Sequence, residues 1–339
     1  MNDFISIIIP VFNEERYIAQ CIDSLLMQDY PVEYMEWIFV DGNSTDKTRK
    51  ILSYYQEMYP ELIHVYVNAN KTVPYAMNIG ICASKGKYII RLDAHAEYDL
   101  NYISKCVKYL NDTNIDADNV GGVARTKGKG YIGECIALML SSPFGVGNSQ
   151  FRVQGHSGYV DTVPFGAFKR EVFEKWGGYD TRLTRNQDNE MNYRIRKNGG
   201  KIYLANDINF TYYCRDSVRG IIDMAIKNGM WNIITMKLCP GSMGIRHFVP
   251  LAFLSSILLL ILLGSFVSII FYYILLIEVV LYLALDMIYS IKKTGIKAQL
   301  VVLLYLFPIF HLSYGMGSLK GIIKSFSKEF RCHKECKHN

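Results

Sequence analysis

The sequence predicts an α/β protein with a mostly parallel central sheet, followed by a C-terminal α-helical membrane region. Two runs carry the first half. Ile5-Ser6-Ile7-Ile8-Ile9 and Glu36-Trp37-Ile38-Phe39-Val40 are almost wholly apolar, as strands buried on both faces of a parallel sheet are, and each leads through a loop into a helical pattern. A third observation carries the second half. Between Phe248 and Leu285 only Glu278 is charged, whereas the first 245 residues have the mixed composition of a soluble protein.

In chain order, the first strand stops at Pro10, and Asn13-Glu14-Glu15 precede a helix with apolar positions Ile18, Cys21, Ile22, Leu25 and Leu26. Acids at a helix start are ordinary partners of its dipole, so charge alone gives Glu14 and Glu15 no special role. The second strand ends in Asp41-Gly42-Asn43-Ser44-Thr45-Asp46. Ser44 or Asp46 suits the cap of the next helix. That leaves Asp41 at the carboxyl end of its strand, where open α/β sheets bind ligands. Ile63–Val67 gives a third strand, and Asn70-Lys71 leads into a helix through Asn78 and Gly80.

The fourth strand starts at Gly86-Lys87-Tyr88-Ile89-Ile90 and runs into Arg91-Leu92-Asp93-Ala94-His95. Residues two apart on a strand point to one side, so Asp93 and His95 converge if the extended geometry holds. A carboxylate and an imidazole suit a divalent metal, Mn or Mg, of the kind that bridges phosphate oxygens. The bland alternative is a strand end with two solvated polar residues.

Other classes are disfavoured. The net charge of +6 is modest, and no interleaving of basic and aromatic residues marks a nucleic-acid module. No Gly-Lys-Ser/Thr loop occurs, against P-loop enzymes. The eight cysteines are scattered and the N-terminus shows no signal segment, so a reduced, cytosolic catalytic part is expected. Cys332, His333, Cys336 and His338 have zinc-ligand chemistry, but in a lysine-rich tail so small a cluster reads as solvated.

Several motifs in a fixed order are more specific than any one of them. Pro10-Val11-Phe12-Asn13-Glu14-Glu15, Val40-Asp41-Gly42-Asn43-Ser44-Thr45-Asp46 and Arg91-Leu92-Asp93-Ala94-His95 resemble the nucleotide-sugar half of family 2 glycosyltransferases. Asp161-Thr162-Val163-Pro164-Phe165-Gly166, Gly177-Gly178-Tyr179-Asp180 and Arg185-Asn186-Gln187-Asp188-Asn189-Glu190 resemble the acceptor region of bacterial exopolysaccharide members, of the succinoglycan-biosynthesis type. The likeness spans roughly residues 4 to 235 and implies a GT-A-like (nucleotide-diphospho-sugar transferase) domain. It also implies that Pro10, Asn13, Glu14, Asp41, Lys71, Arg91 and Asp93 bind the nucleotide sugar, with Asp41 at the base and Asp93 near the ribose and metal. His95 takes the place of the second acid in the usual Asp-x-Asp, which lowers the site's negative charge. Asp188 matches the catalytic base, and Gln187, Glu190 and Trp231 fall on the acceptor side. Gln187 stands where many relatives carry Glu, so it is given no charged role. On its own, Asp188 also reads as an acid at the start of a helix through Met191, Tyr193 and Ile195.

The implied chemistry is coherent. A sugar hydroxyl is a poor nucleophile, and a positioned carboxylate can take its proton as the bond forms. The leaving nucleoside diphosphate gathers negative charge that a divalent ion stabilises.

Gly199-Gly200 ends the helix after Asp188, Lys201–Leu204 reads as a strand, and Ser217–Leu238 as an amphipathic helix lying on a membrane surface or on the catalytic domain. Lys227-Asn228-Gly229-Met230-Trp231 keeps the Trp of the processive Gln-x-x-Arg-Trp motif without its Gln or Arg, which favours single addition. Phe248–Leu285 is too long for one crossing, and Gly264-Ser265 is the natural break between two helices. Leu300–Tyr314, with Pro308, is expected to be re-entrant or interfacial, because basic residues flank it on both sides. Glu278 suits a helix–helix hydrogen bond better than contact with a lipid-linked substrate.

The expected organisation is a catalytic domain over 1–240, divided at 98 into nucleotide-sugar and acceptor halves, a membrane region over 246–319 and a basic cytosolic tail over 320–339. The expected function is an inverting, non-processive transfer of one sugar from a UDP-sugar donor to a lipid-linked saccharide in cell-surface or exopolysaccharide synthesis. No nucleic acid takes part. The protein is placed in the cytoplasmic (inner) membrane, multi-pass, with its catalytic domain cytosolic. Rival readings are a polyprenyl-phosphate sugar synthase and a non-catalytic membrane scaffold or transport partner that retains the fold. A nucleotidyltransferase is weaker, since its phosphate-binding loop is missing.

Overall fold

The structure is a computed structural model that describes residues 2–153 and 155–327. The chain divides into two compact units, one of Met1–Arg125 with Gln150–Tyr213 and one of Thr126–Ser149 with Cys214–Asn339. Segment 126–149 and the helix after Ser217 therefore group with the apolar helices, where the sequence placed them in a domain ending at 240.

The first unit begins with β1 (Ile5–Val11), α1 (Ile18–Leu26), β2 (Met35–Asp41), α2 (Thr48–Met58), β3 (Ile63–Val67), α3 (Val73–Ala83) and β4 (Tyr88–Arg91). It continues with β5 (Ala96–Tyr98), α4 (Tyr102–Asn111) and β6 (Asn119–Lys127), whose last two residues enter the second unit. In that unit lie α5 (Gly130–Leu140) and α6 (Pro143–Val146). The chain returns to the first unit with α7 (Gln150–Val153), β7 (Gly158–Tyr159), β8 (Ala167–Lys169), α8 (Arg170–Trp176), α9 (Gln187–Lys197) and β9 (Ile202–Tyr213).

The strands form one sheet in the order β3-β2-β1-β4-β8-β6-β9-β5, with β7 also on β9. β3, β2, β1 and β4 run parallel, as the buried apolar runs predict. β8 is antiparallel to β4 and β6, and β5 is antiparallel to β9, so the sheet as a whole is mixed. Ile5, Ile7 and Ile9 pack on one face with Trp37 and Phe39, and Ile8, Ile38 and Val40 on the other. Full burial of each such side chain contributes about 1.5–3 kcal/mol, more than the roughly 1 kcal/mol span of strand propensity, so two-sided packing fixes these strands.

One local expectation fails. The fourth strand stops at Arg91, and Asp93 to Ala96 forms a turn in which the Ala96 amide donates to the Asp93 carbonyl at 3.4 Å. Asp93 and His95 are therefore turn residues and do not share a strand face.

In the second unit, α10 (Val218–Leu238) is followed by α11 (Val249–Phe266), α12 (Ile270–Thr294) and α13 (Gln299–Ser325). These last three are long and apolar enough to cross a membrane. The break between α11 and α12 falls at 267–269, just past Gly264-Ser265. Leu300–Tyr314 belongs to one continuous helix that carries Pro308 in its interior, so the irregular backbone expected there is not found. α10 packs along α13 at backbone contact. A Cβ on Gly317 would collide with the Ile226 carbonyl oxygen, and one on Gly229 with that of Tyr314. Glu278 accepts a hydrogen bond from Ser256 Oγ, the helix–helix use expected of it. The cysteine and histidine cluster at 332–338 lies outside the described residues.

Candidate active site

The loops that leave β1 and β2 at their carboxyl ends are stitched together by their own polar side chains. Ser44 Oγ accepts from the Asn13 amide at 2.9 Å, and Asn13 Oδ1 accepts from the Thr45 amide at 2.9 Å. Thr48 Oγ1 takes the Glu14 amide at 2.8 Å, and Asp46 Oδ2 the Glu15 amide at 3.1 Å. Glu15 Oε2 returns the contact to the Lys47 amide at 3.0 Å. Asp46 Oδ1 also accepts from the Thr48 amide at 3.0 Å, although the N-cap of α2 is Lys47, which makes no side-chain cap, and neither Ser44 nor Asp46 occupies that position. These contacts satisfy amides that a strand end and a helix start leave unpaired.

Asp41 is wholly buried at the base of this rim. Its carboxylate accepts from the Ser44 amide and hydroxyl and pairs with Arg49 Nε at 2.6 Å, so it holds the turn. Pro10 continues β1 opposite Val40. Lys71 is exposed in the loop after β3, with φ 61°.

The chemistry-bearing turn lies next door. Tyr98 pins Asp93, its hydroxyl accepting from the Asp93 amide at 2.8 Å. His95 Nδ1 lies 3.1 Å from Glu14 Oε1. The buried Cys21 thiol is pushed up to about 12, by burial first and then by the carboxylates of Asp93 and Glu14, which marks these two acids as neighbours of one spot. Asp93, His95 and Glu14 are thus oxygen and nitrogen donors around a common region. Among the described residues no cluster of three such groups is tight enough to enclose an ion by itself. The donor types suit Mn or Mg with part of the coordination left to a phosphate ligand and water, and a histidine held through its other nitrogen by a carboxylate is a common ligand arrangement.

Across the cleft, Asp188 stands in the first turn of α9. Asn186, in the left-handed conformation at φ 62°, sets the entry into the helix. Asn192 locks α9 in place: its amide donates to Thr162 Oγ1 at 2.8 Å and its carbonyl accepts from Asn119 at 2.7 Å. Arg91 then joins the two halves of the unit. One guanidinium nitrogen donates to Asp188 Oδ1 and the other to Asp93 Oδ1 at 3.2 Å. Burial works against the Arg91 charge, but Asp188 and then Asp93 more than offset it, and its pKa is raised. Asp188 Oδ2 has no hydrogen-bond partner among the described residues, and a third of the Asp188 side chain remains exposed.

Arg91, Asp93, Gln187 and Asp188 line one cleft of about 260 Å³, together with Phe151, Arg152, Phe165, Phe210 and Tyr212. Gln187 Oε1 is buried and takes no hydrogen bond among the described residues. Glu190 does not line the cleft. It forms a two-pronged ion pair with Arg194, at 2.9 and 2.7 Å, and fastens α9 internally. Trp231 lies on α10 and so belongs to the helical unit. Sequence reasoning missed Arg152, which sits in a four-residue helix without a motif, and the pairing of Glu14 with His95. The only signal for Arg152 was a cation beside an aromatic residue, Phe151-Arg152, which is weak.

The family model described as "Glycosyl transferase family 2" matches residues 6–177. A Methanococcus voltae enzyme, dolichyl N-acetyl-alpha-D-glucosaminyl phosphate 3-beta-D-2,3-diacetamido-2,3-dideoxy-beta-D-glucuronosyltransferase, is 31% identical over 96% of this chain and 99% of its own length. Succinoglycan biosynthesis protein ExoA of Rhizobium meliloti is 27% identical over 73% of this chain and 74% of its own. Among solved structures, the mannosyltransferase PcManGT from Pyrobaculum calidifontis, in complex with GDP-Man and Mn2+, superposes with a TM-score of 0.63 at 19% identity, covering 92% of this chain and 88% of that one. The fold is GT-A-like. The chain belongs to glycosyl transferase family 2.

Proposed function

We propose that this glycosyltransferase moves one sugar from a nucleotide donor, a UDP-sugar in the first instance, onto a saccharide carried on a polyprenyl phosphate or diphosphate, with inversion at the anomeric carbon. The observation that carries the reading is the cleft in which Arg91 holds Asp188 opposite Asp93. The pairing with Arg91 through Oδ1 orients the carboxylate and leaves Oδ2 for the incoming acceptor. Asp188 takes the acceptor hydroxyl proton as oxygen bonds to the anomeric carbon and the bond from that carbon to the diphosphate breaks. Asp93 and His95, the latter held by Glu14, are the residues that would hold a divalent ion, which when bound supplies positive charge to the leaving diphosphate. Lys71, exposed in the loop after β3, supplies a point charge for phosphate in this reading.

The full-length similarity to an enzyme named for a dolichyl phosphate acceptor supports the lipid-linked substrate. The pattern of burial in the helical unit supports a membrane hairpin. Along α11 the only buried residue is Leu254, and along α12 the buried residues are Asp286, Ser290 and Thr294, all at one end of the hairpin. α13 packs on that same end: Gly315 meets Pro250 and Leu254, and His311 Nδ1 bonds to Tyr282 at 2.8 Å. In this proposal α11 and α12 cross the cytoplasmic membrane, while α13 lies across their cytosolic ends beside α10. Arg246, Lys292, Lys293 and Lys297 then stay inside with Lys320 and Lys324.

The test is a panel of UDP- and GDP-sugars offered to the purified full chain, with and without a polyprenyl-diphosphate-linked N-acetylhexosamine, scored by release of nucleoside diphosphate. Acceptor-stimulated release from one donor supports the reading. Release from none makes the chain a scaffold that retains the fold.

A further inference from the structure

The cleft holds a cation that the reaction just described does not use. Arg152 lines the cavity shared by Arg91, Asp93 and Asp188. Its guanidinium carbon sits 5.3 Å from the centre of the Phe151 ring and 5.2 Å from that of Tyr212. Among the described residues the buried Nη1 has no hydrogen-bond partner and no acid pairs with Arg152. The other cation of the cleft, Arg91, is already committed through its two terminal nitrogens to Asp188 and Asp93.

Ring contacts offset only part of the cost of withdrawing a guanidinium from water, and a buried N–H without an acceptor remains unfavourable. Such a group is normally completed by an anion. Protein acids have been assigned elsewhere in this cleft, so the missing partner belongs to the ligand. The planar fork of arginine, fixed in orientation by two aromatic rings, matches an oxyanion with two or three equivalent oxygens better than it matches a hydroxyl.

We propose that Arg152 forms an oxyanion subsite that selects substrates bearing a negative charge on or next to the reacting saccharide. The shared chemistry is a carboxylate or phosphate oxygen pair, carried either as a uronic acid group or as the phosphate that links the sugar to its lipid. Arg152 is a specificity residue in the cavity that Asp93 also lines, so its anion is told from the donor diphosphate by filling the donor site first. The proposal rests on the glycosyltransferase reading for its substrates, though its test does not need turnover.

Binding of three small probes to the full chain in detergent is measured with nucleoside diphosphate and Mn present, so that the donor diphosphate site is filled. Methyl glucuronide carries a carboxylate, glucose 1-phosphate carries a phosphate, and methyl glucoside carries neither. Wild type is expected to bind one of the charged probes roughly tenfold or more tighter than methyl glucoside, as a charge-assisted fork would give. Arg152→Gln is expected to abolish that preference and Arg152→Lys to keep part of it. Which charged probe is preferred tells the sugar carboxylate from the lipid-link phosphate. Absence of any preference in wild type, or a preference that survives Arg152→Gln, overturns the proposal. Loss of the catalytic reading shows separately, as no release of nucleoside diphosphate from any nucleotide sugar.

Discussion

Arg91 donates a hydrogen bond to Asp188, a residue 97 positions further along the chain, and with its second nitrogen holds Asp93 two positions away. One buried guanidinium therefore couples the donor turn to the first turn of α9. Both carboxylates keep part of their surface in solvent, so the arrangement is a clamp at the cleft wall and not a sealed core pair.

Asp188→Asn keeps the size of the side chain and removes the base. Transfer is expected to fall by about 10²- to 10⁴-fold with donor affinity nearly unchanged. Single-turnover rates and a donor titration on the same preparation check this, and a variant retaining half its transfer rate would remove Asp188 from the mechanism.

Arg91→Ala leaves Asp93 and Asp188 facing each other without their shared cation. Removing one partner of a largely buried pair costs about 3 kcal/mol, discounted here because the acids are partly exposed. A lowered unfolding midpoint together with lost transfer is expected. Arg91→Lys should recover stability better than activity, since an ammonium cannot bridge two carboxylates with the arginine geometry.

His95→Asp places a second carboxylate against Glu14 Oε1, where the imidazole now sits at 3.1 Å. Without metal the like charges are expected to cost roughly 0.5–1 kcal/mol, and added manganese or magnesium to restore the loss. Thermal unfolding with and without each ion reads this directly. In wild type, excess chelator is expected to weaken donor binding. Unchanged donor affinity in chelator would count against the Asp93–His95 ion site.

Gly317→Val forces α13 away from the Ile226 carbonyl. Separation of α10 from α13, seen as faster proteolysis within Val218–Leu238 in detergent, is the expected result. Gly244→Val, at a position with open space around its Cβ, serves as the control.

With α11 and α12 crossing and α13 on the cytosolic side, Cys332 and Cys336 should resist a membrane-impermeant thiol reagent on intact cells when the other six cysteines are replaced. Strong labelling without permeabilisation would mean that α13 crosses too.

The parallel half of the sheet and the donor motifs were legible because each is local. β1 and β2 announce two-sided burial in five consecutive residues, and their loops follow at once. Of the antiparallel half only the start of β9, at Lys201–Leu204, was legible. β6 carries Gly121-Gly122, and β9 is interrupted in pattern by Asn206, Asp207 and Asn209, so neither shows a clean period. The turn at Asp93–Ala96 follows from β5 leaving to pair with β9, a contact over more than a hundred residues that periodicity does not report. For the same reason Asp188 could be placed by resemblance while its link to Arg91 could not. Glu190 shows the opposite error: it lies beside Asp188 in a motif, yet its spacing of four from Arg194 commits it to the helix.

The interlocked loops after β1 and β2 have an evolutionary consequence. A residue changed in either loop disturbs its partner in the other, from Asn13 with Thr45 to Glu15 with Lys47. The nucleotide rim can therefore drift only by paired substitution. The short segment around Phe151 and Arg152 makes no such reciprocal bonds to that rim. With the proposed roles of rim and segment, descendants of this chain would change acceptors by single substitutions around Arg152 while the rim stays fixed.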